Sequence, residues 1–147
     1  MGSMGVSIRG LVAATAMAGL FGGAASAADP QIKAVYHLTN GLEEAQRAMG
    51  NVRNHLNADP AARIVVVSNG DGILFMLDGA KDRNGNPFDA TIQDLKGRGV
   101  DFRLCNNTLL QRKIDKSQVI ADVSIVPSGV AEAARLQIRE GYAYLRP

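Results

Sequence analysis

The chain has no tryptophan, and aromatic residues make up only 5% of it. That excludes a wall of stacked rings of the kind that holds single-stranded nucleic acid. A surplus of one charge is missing too, since 16 bases stand against 14 acids. Such a balance gives no global electrostatic reason to seek nucleic acid or anionic lipid. Histidine is scarce: His37 and His55 are 18 positions apart and have no cysteine near them. A zinc site is therefore not expected, and no other metal set stands out. Cysteine is reduced to one residue, Cys105, so an internal disulfide is impossible.

Several cofactor signatures are missing as well. No G-x-x-x-x-G-K-[ST] loop occurs, and no Cys-x-x-Cys-His. Gly70-x-Gly72 begins like a dinucleotide fingerprint, but Phe75 stands where the third glycine belongs. Ser128 sits in Pro-Ser-Gly rather than Gly-x-Ser-x-Gly, so no hydrolase elbow is indicated. No cofactor is expected.

What is present begins with a leader-like segment. Arg9 supplies a positive start, Leu11 to Gly22 is apolar and uncharged, and Ala25-Ser26-Ala27 is a small-x-small cleavage pattern. Residues 1–28 read as a signal peptide, which implies a periplasmic or secreted mature protein. The competing reading is an uncleaved anchor in the cell envelope, because the uncharged run from Gly10 to Ala28 nearly matches a bilayer in length. Contact with membrane is expected only in that second case. Residues 29–147 then form one domain, with 46% hydrophobic residues across the chain to build a core. In an oxidising compartment a lone cysteine is buried and inert, paired between chains, or kept for reactivity.

The domain alternates strands and helices. Ile32 to Leu38 reads as a first strand. Asn40 with Glu43 approximates a capping box, and Leu42, Ala45, Met49, Val52 and Leu56 recur at helical spacing. Ile64 to Val67 is a β-branched run suited to a strand buried on both faces. Ile73 to Leu77 suggests a short helix, Lys81 to Pro87 an exposed loop, and Phe88, Ile92 and Leu95 a helix closed by Gly97 and Gly99. Val100 to Cys105 alternates as a strand, and Asn106-Asn107-Thr108 offers a cap for a helix from Leu109. Asp122 to Val126, a helix from about Val130 to Glu140, and a strand from Gly141 to Leu145 complete the pattern. Such alternation predicts an α/β fold with a parallel sheet covered on both faces.

In sheets of this type, ligand sites gather beyond the carboxyl ends of the strands. Cys105 falls at such an end, before a helix start that favours a thiolate. The rival reading is a small buried hydrophobe. His37, on the same predicted edge, is either a base assisting the thiol or a histidine hydrogen-bonded in a strand-end loop. Asn69, Gly70, Asn106, Asn107 and Thr108 are candidates to line a pocket there, or to cap helices.

Several stretches together resemble the exported branch of the DsrE/DsrF-like proteins. They are Val35-Tyr36-His37, Asn51 to Leu56, Gly99 to Leu109, and a tail from Val126 to Glu132 continuing through Leu136-Gln137 to Glu140-Gly141-Tyr142-Ala143-Tyr144-Leu145-Arg146-Pro147. The resemblance implies a single Rossmann-like three-layer α/β domain with a mainly parallel sheet, assembling as a homo-oligomer, a trimer or hexamer. It also implies sulfur carried as a persulfide on one cysteine and passed between a donor and an acceptor protein, the role that Cys105 fits here. Two alternatives stand beside it: an oligomeric binding or assembly module in which Cys105 is packing, and a small-molecule pocket that Cys105 only lines.

Overall fold

The computed structural model describes residues 1–2 and 29–147. The leader, or anchor, reading of residues 1–28 falls almost wholly outside the described residues. Among those described, no helix is long and apolar enough to cross a membrane.

Five strands form one sheet: β1 (Lys33–Leu38), β2 (Arg63–Ser68), β3 (Asp101–Cys105), β4 (Ser124–Val126) and β5 (Ala143–Leu145). Their spatial order is β4-β3-β2-β1-β5, and every pairing is parallel. Four α-helices make the crossovers: α1 (Leu42–Ala58), α2 (Phe88–Gly97), α3 (Asn106–Arg112) and α4 (Gly129–Glu140). The chain steps in one direction from β1 to β4, and α4 then returns it across the sheet to set β5 beside β1. Right-handed crossovers therefore put α1, α2 and α3 on one face and α4 alone on the other.

The core divides accordingly. Ile64 and Val66 of β2 join Ala34, Phe102 and Leu104 against α1, α2 and Leu109 of α3. Val65 and Val67 turn to the opposite face, where they meet Val35, Leu136 and Tyr142. The β-branched run is thus buried on both faces, as its sequence predicts.

Several boundaries depart from the sequence reading, each for a local reason. Ile32 is half exposed and precedes β1. The expected Asn40–Glu43 box is absent, since Gly41 occupies the cap position without a side-chain bond. The buried Glu44 does the work instead: its carboxylate accepts from the N–H groups of Thr39 at 2.8 Å and Asn40 at 2.6 Å. The helix expected over Ile73 to Leu77 is the end of a 3₁₀ segment, Gly70–Met76. There Gly72 lies so close to β1 that a Cβ would fall 2.2 Å from the Leu38 carbonyl oxygen. Ala121 and Asp122 form a turn before β4, closed by Val123 N–H donating to Ile120 O. Gly141 caps α4 at φ 71°, so β5 begins two residues later than expected.

Candidate functional site

Cys105 is the last residue of β3 and, at the same time, the N-cap of α3. The expected order is therefore shifted: Asn106, Asn107 and Thr108 do not precede the helix as its cap but form its first turn. The cause lies in the sheet. Cys105 still pairs with Val126 of β4, and the chain can turn only after that pairing ends. The free N–H groups of the first turn are left pointing back at the cysteine.

A second helix start meets the same point. Ser128 caps α4, accepting from Ala131 N–H at 3.4 Å, and Gly129 follows as the first helical residue. Gly129 is buried so tightly that a Cβ there would lie 3.2 Å from each of Cys105 Cβ, Asn69 Cβ and Ser68 O. A side chain there would press on the neighbouring side chains and on the β2 backbone, so glycine eases the close approach of α4 to Cys105.

The thiol responds to both helix starts. Burial acts first and pushes its pKa up, because Cys105 is only 4% exposed. The amides of Gly129, Thr108 and Asn107 and the Thr108 hydroxyl lie around the sulfur and oppose this, although the thiol makes no cap hydrogen bond of ordinary geometry to the helix it precedes. They win, and the pKa falls below the ordinary thiol value. Thr108 is buried and itself held, since its hydroxyl oxygen accepts from Gly70 N–H at 3.1 Å. Gly70, at φ 57°, adopts the left-handed turn that aims this N–H.

The other residues singled out by sequence reach the same strand ends by different routes. His37 is buried at the end of β1. Among the described residues it has no hydrogen bond to Cys105. Its Nε2 lies 2.6 Å from Asn69 Oδ1 and its Nδ1 lies 2.8 Å from Tyr144 Oη. Asn69 stands between the two, because its Cβ and that of Cys105 flank Gly129 together. The Asn107 side chain is exposed, and its N–H is shared with Pro127 O at 3.3 Å. Asn106 Oδ1 is buried without a partner, as is Ser68 Oγ.

Sequence reasoning missed Gly129, Tyr144 and a cluster of charges behind the site. Arg103, two residues before Cys105, binds Asp101 at 2.5 Å and also pairs with Glu132 of α4. Glu132 in turn accepts from Arg135 at 2.7 Å. The Arg135 bonds, against the opposing cost of burial and with further help from Arg103, pull the Glu132 carboxyl down to about 2. This cluster ties α4 to β3. The alternation of Asp101 and Arg103 with apolar residues signalled an outward face, but not the helix that covers it.

No group of three or more His, Cys, Asp or Glu side chains among the described residues is arranged to hold a metal ion. A hollow of about 260 Å³ lined by Glu43, Gln46, Arg47 and Arg83 lies against α1. It offers no nucleophile, so the chemistry available here is that of an activated thiol at the junction of two helix starts.

Comparison with known proteins agrees with the fold. The protein of unknown function MTH1491 from Methanobacterium thermoautotrophicum is 29% identical and superposes with a TM-score of 0.71, covering 80% of this chain and 100% of its own. The ychN protein from E. coli superposes at 0.65 with the same coverage and 17% identity, a likeness of fold alone. No curated protein gave a match. The DsrE/DsrF-like family profile matches residues 23–147, which takes in the whole domain described above. The chain is a member of the DsrE/DsrF-like family.

Proposed function

We propose that this protein carries sulfane sulfur as a persulfide on Cys105 and passes it to a partner. The observation that carries the reading is the set of donors from Gly129, Thr108 and Asn107 around the sulfur, which favours its anionic form. The thiolate attacks the outer sulfur of a donor such as thiosulfate. The new Cys105 S–S bond forms as the donor's S–S bond breaks, and sulfite leaves with the electron pair. A thiolate on the acceptor then attacks the terminal sulfur, takes it, and releases the Cys105 thiolate. The same donors serve the thiolate and the persulfide anion. No cofactor is needed.

The leader pattern of residues 1–28 supports an exported, periplasmic site of action. The outer face of α4 supports self-assembly as a trimer or hexamer, because Val130 and Ile138 are 60% and 86% exposed there.

Intact mass spectrometry tests the reading. Exposure of the folded protein to polysulfide or thiosulfate is expected to add one or more sulfur atoms, removable by reductant and absent in Cys105→Ser. Loading retained by Cys105→Ser, or no loading of the folded wild type, overturns it.

A further inference from the structure

Three Asn-Gly pairs occur in the chain: Asn40-Gly41, Asn69-Gly70 and Asn84-Gly85. At such a pair no Cβ shields the glycine nitrogen, which lies one residue from the Asn side-chain carbonyl carbon. The fold holds the three pairs differently. Gly70 N–H donates to Thr108 Oγ1 at 3.1 Å, and Gly85 N–H donates to Asp82 O at 3.0 Å. Both glycines stand in the left-handed region, at φ 57° and 83°, so their turns call for glycine. The Asn69 side-chain amide is held further, 2.6 Å from His37 Nε2.

Gly41 differs on each point. Among the described residues its N–H has no acceptor. Its φ is −37°, and a Cβ there would meet nothing within 4 Å, so the fold does not require a glycine at this position. Asn40 itself is exposed.

We propose that Asn40-Gly41 is a site of spontaneous side-chain deamidation, and that the carboxylate it creates loosens the link between the end of β1 and α1. The Gly41 nitrogen bonds to Asn40 Cγ, and Nδ2 leaves as ammonia with the proton that Gly41 gives up. Water then opens the cyclic imide at either carbonyl. The products are an aspartate in place of Asn40 and its isomer, whose main chain runs through Cβ and Cγ. Water is the only co-reactant, and nothing is oxidised or reduced.

The neighbourhood turns this small change into a structural one. Asn40 Nδ2 donates to Glu44 Oε1 at 3.2 Å, and Asn40 N–H donates to Glu44 Oε2 at 2.6 Å. Glu44 is 3% exposed, the one buried carboxylate among the described residues. Deamidation exchanges a donor for an anion beside it, and like charges at that distance oppose each other. The start of α1 favours an anion, but Glu44 already fills that place. In the isomer, an extra main-chain carbon separates the Thr39 and Asn40 amides from the helix that carries Glu44.

Peptide mapping by mass spectrometry of the folded full-length chain, incubated warm at mildly alkaline pH, tests the site. Asn40 is expected to convert faster than Asn69 and Asn84 by roughly three- to tenfold, the population cost of freeing one bonded N–H. In denaturant the three rates should draw together. Gly41→Ala, which the backbone and the open space allow, should slow conversion of Asn40 in the folded chain. Asn40→Asp isolates the charge, and it should unfold at lower urea than wild type, as should the converted chain. Earlier conversion of Asn69 or Asn84, equal rates in the folded chain, or no slowing in Gly41→Ala overturns the site. An unchanged urea midpoint in both Asn40→Asp and the converted chain overturns the structural consequence.

Discussion

Replacing Glu132 with glutamine removes the one charge that links α4 to β3 while keeping the side chain's shape. Glu132 is 12% exposed and faces Arg103 and Arg135 at once. Its carboxyl is pulled from 4.5 to about 2. At about 1.4 kcal/mol for each unit, that depression corresponds to about 3 kcal/mol favouring the charged form in the folded chain. Arg135 is 37% exposed, so solvent screens its share, and a net loss of about 1–2 kcal/mol is the realistic expectation. The sign with pH follows from a folded pKa below the unfolded one. The stabilisation is complete above 4.5 and is lost as pH falls through about 2. Urea unfolding of wild type and Glu132→Gln at several pH values measures it. The two proteins should differ by about 1–2 kcal/mol at pH 7 and converge as the acid limb is descended. Because α4 brings Gly129 to the sulfur, Glu132→Gln should also slow Cys105 alkylation at pH 7. Parallel acid limbs, or a difference at pH 7 below about 0.5 kcal/mol, would refute the reasoning.

Two further substitutions probe the strand ends. Thr108→Val removes a donor from the Cys105 sulfur and the acceptor of Gly70 N–H, and should cost about 1–3 kcal/mol in thermal or urea unfolding. The thiol pKa then moves up, so the midpoint of the alkylation pH profile shifts to higher pH; an unmoved midpoint would show that this hydroxyl does not serve the thiolate. The thiolate's own stabilisation is complete above the unfolded pKa and lost as pH falls through the lower folded one, a window that Thr108→Val narrows. Gly72→Ala forces a methyl against the backbone at Leu38 O, where no flexible side chain can yield, and should destabilise by about 3 kcal/mol or more in chemical denaturation. Gly50→Ala, in the interior of α1 with open space around it, is its control and should stabilise by up to about 1 kcal/mol. A similar outcome for both glycines would remove the steric argument.

Much of the fold was legible because it rests on local periodicity. The run Ile64 to Val67 could be placed in a doubly covered strand because four consecutive β-branched residues leave no polar face. The spacing from Leu42 to Leu56 admits only a helix with one buried side. Strand order and crossover direction then follow largely from handedness. The errors fell where a contact outside the periodic pattern, near or far in the chain, decides a local state. Glu44 rather than Glu43 turns back to satisfy the Thr39 and Asn40 amides, a choice between neighbouring acids that the pattern does not make. Gly72 is compelled by the backbone of β1, more than thirty residues upstream, so the segment after β2 is 3₁₀ rather than α-helical.

The site divides in the same way. By itself the sequence determined that one cysteine ends a strand of a parallel α/β sheet, and that polar residues gather at neighbouring strand ends. Alternation of apolar and polar residues carries that much. Only the tertiary structure decided what surrounds the sulfur. Gly129 reaches Cys105 because α4 recrosses the whole sheet to place β5 beside β1, bringing a second helix start to a point that chain order keeps 24 residues away. His37 is joined to Tyr144 across 107 residues by the pairing of β1 with β5. A pattern in sequence records which face a residue shows to its own element. It does not record which other element arrives there, and the lowered thiol pKa of Cys105 depends on that arrival.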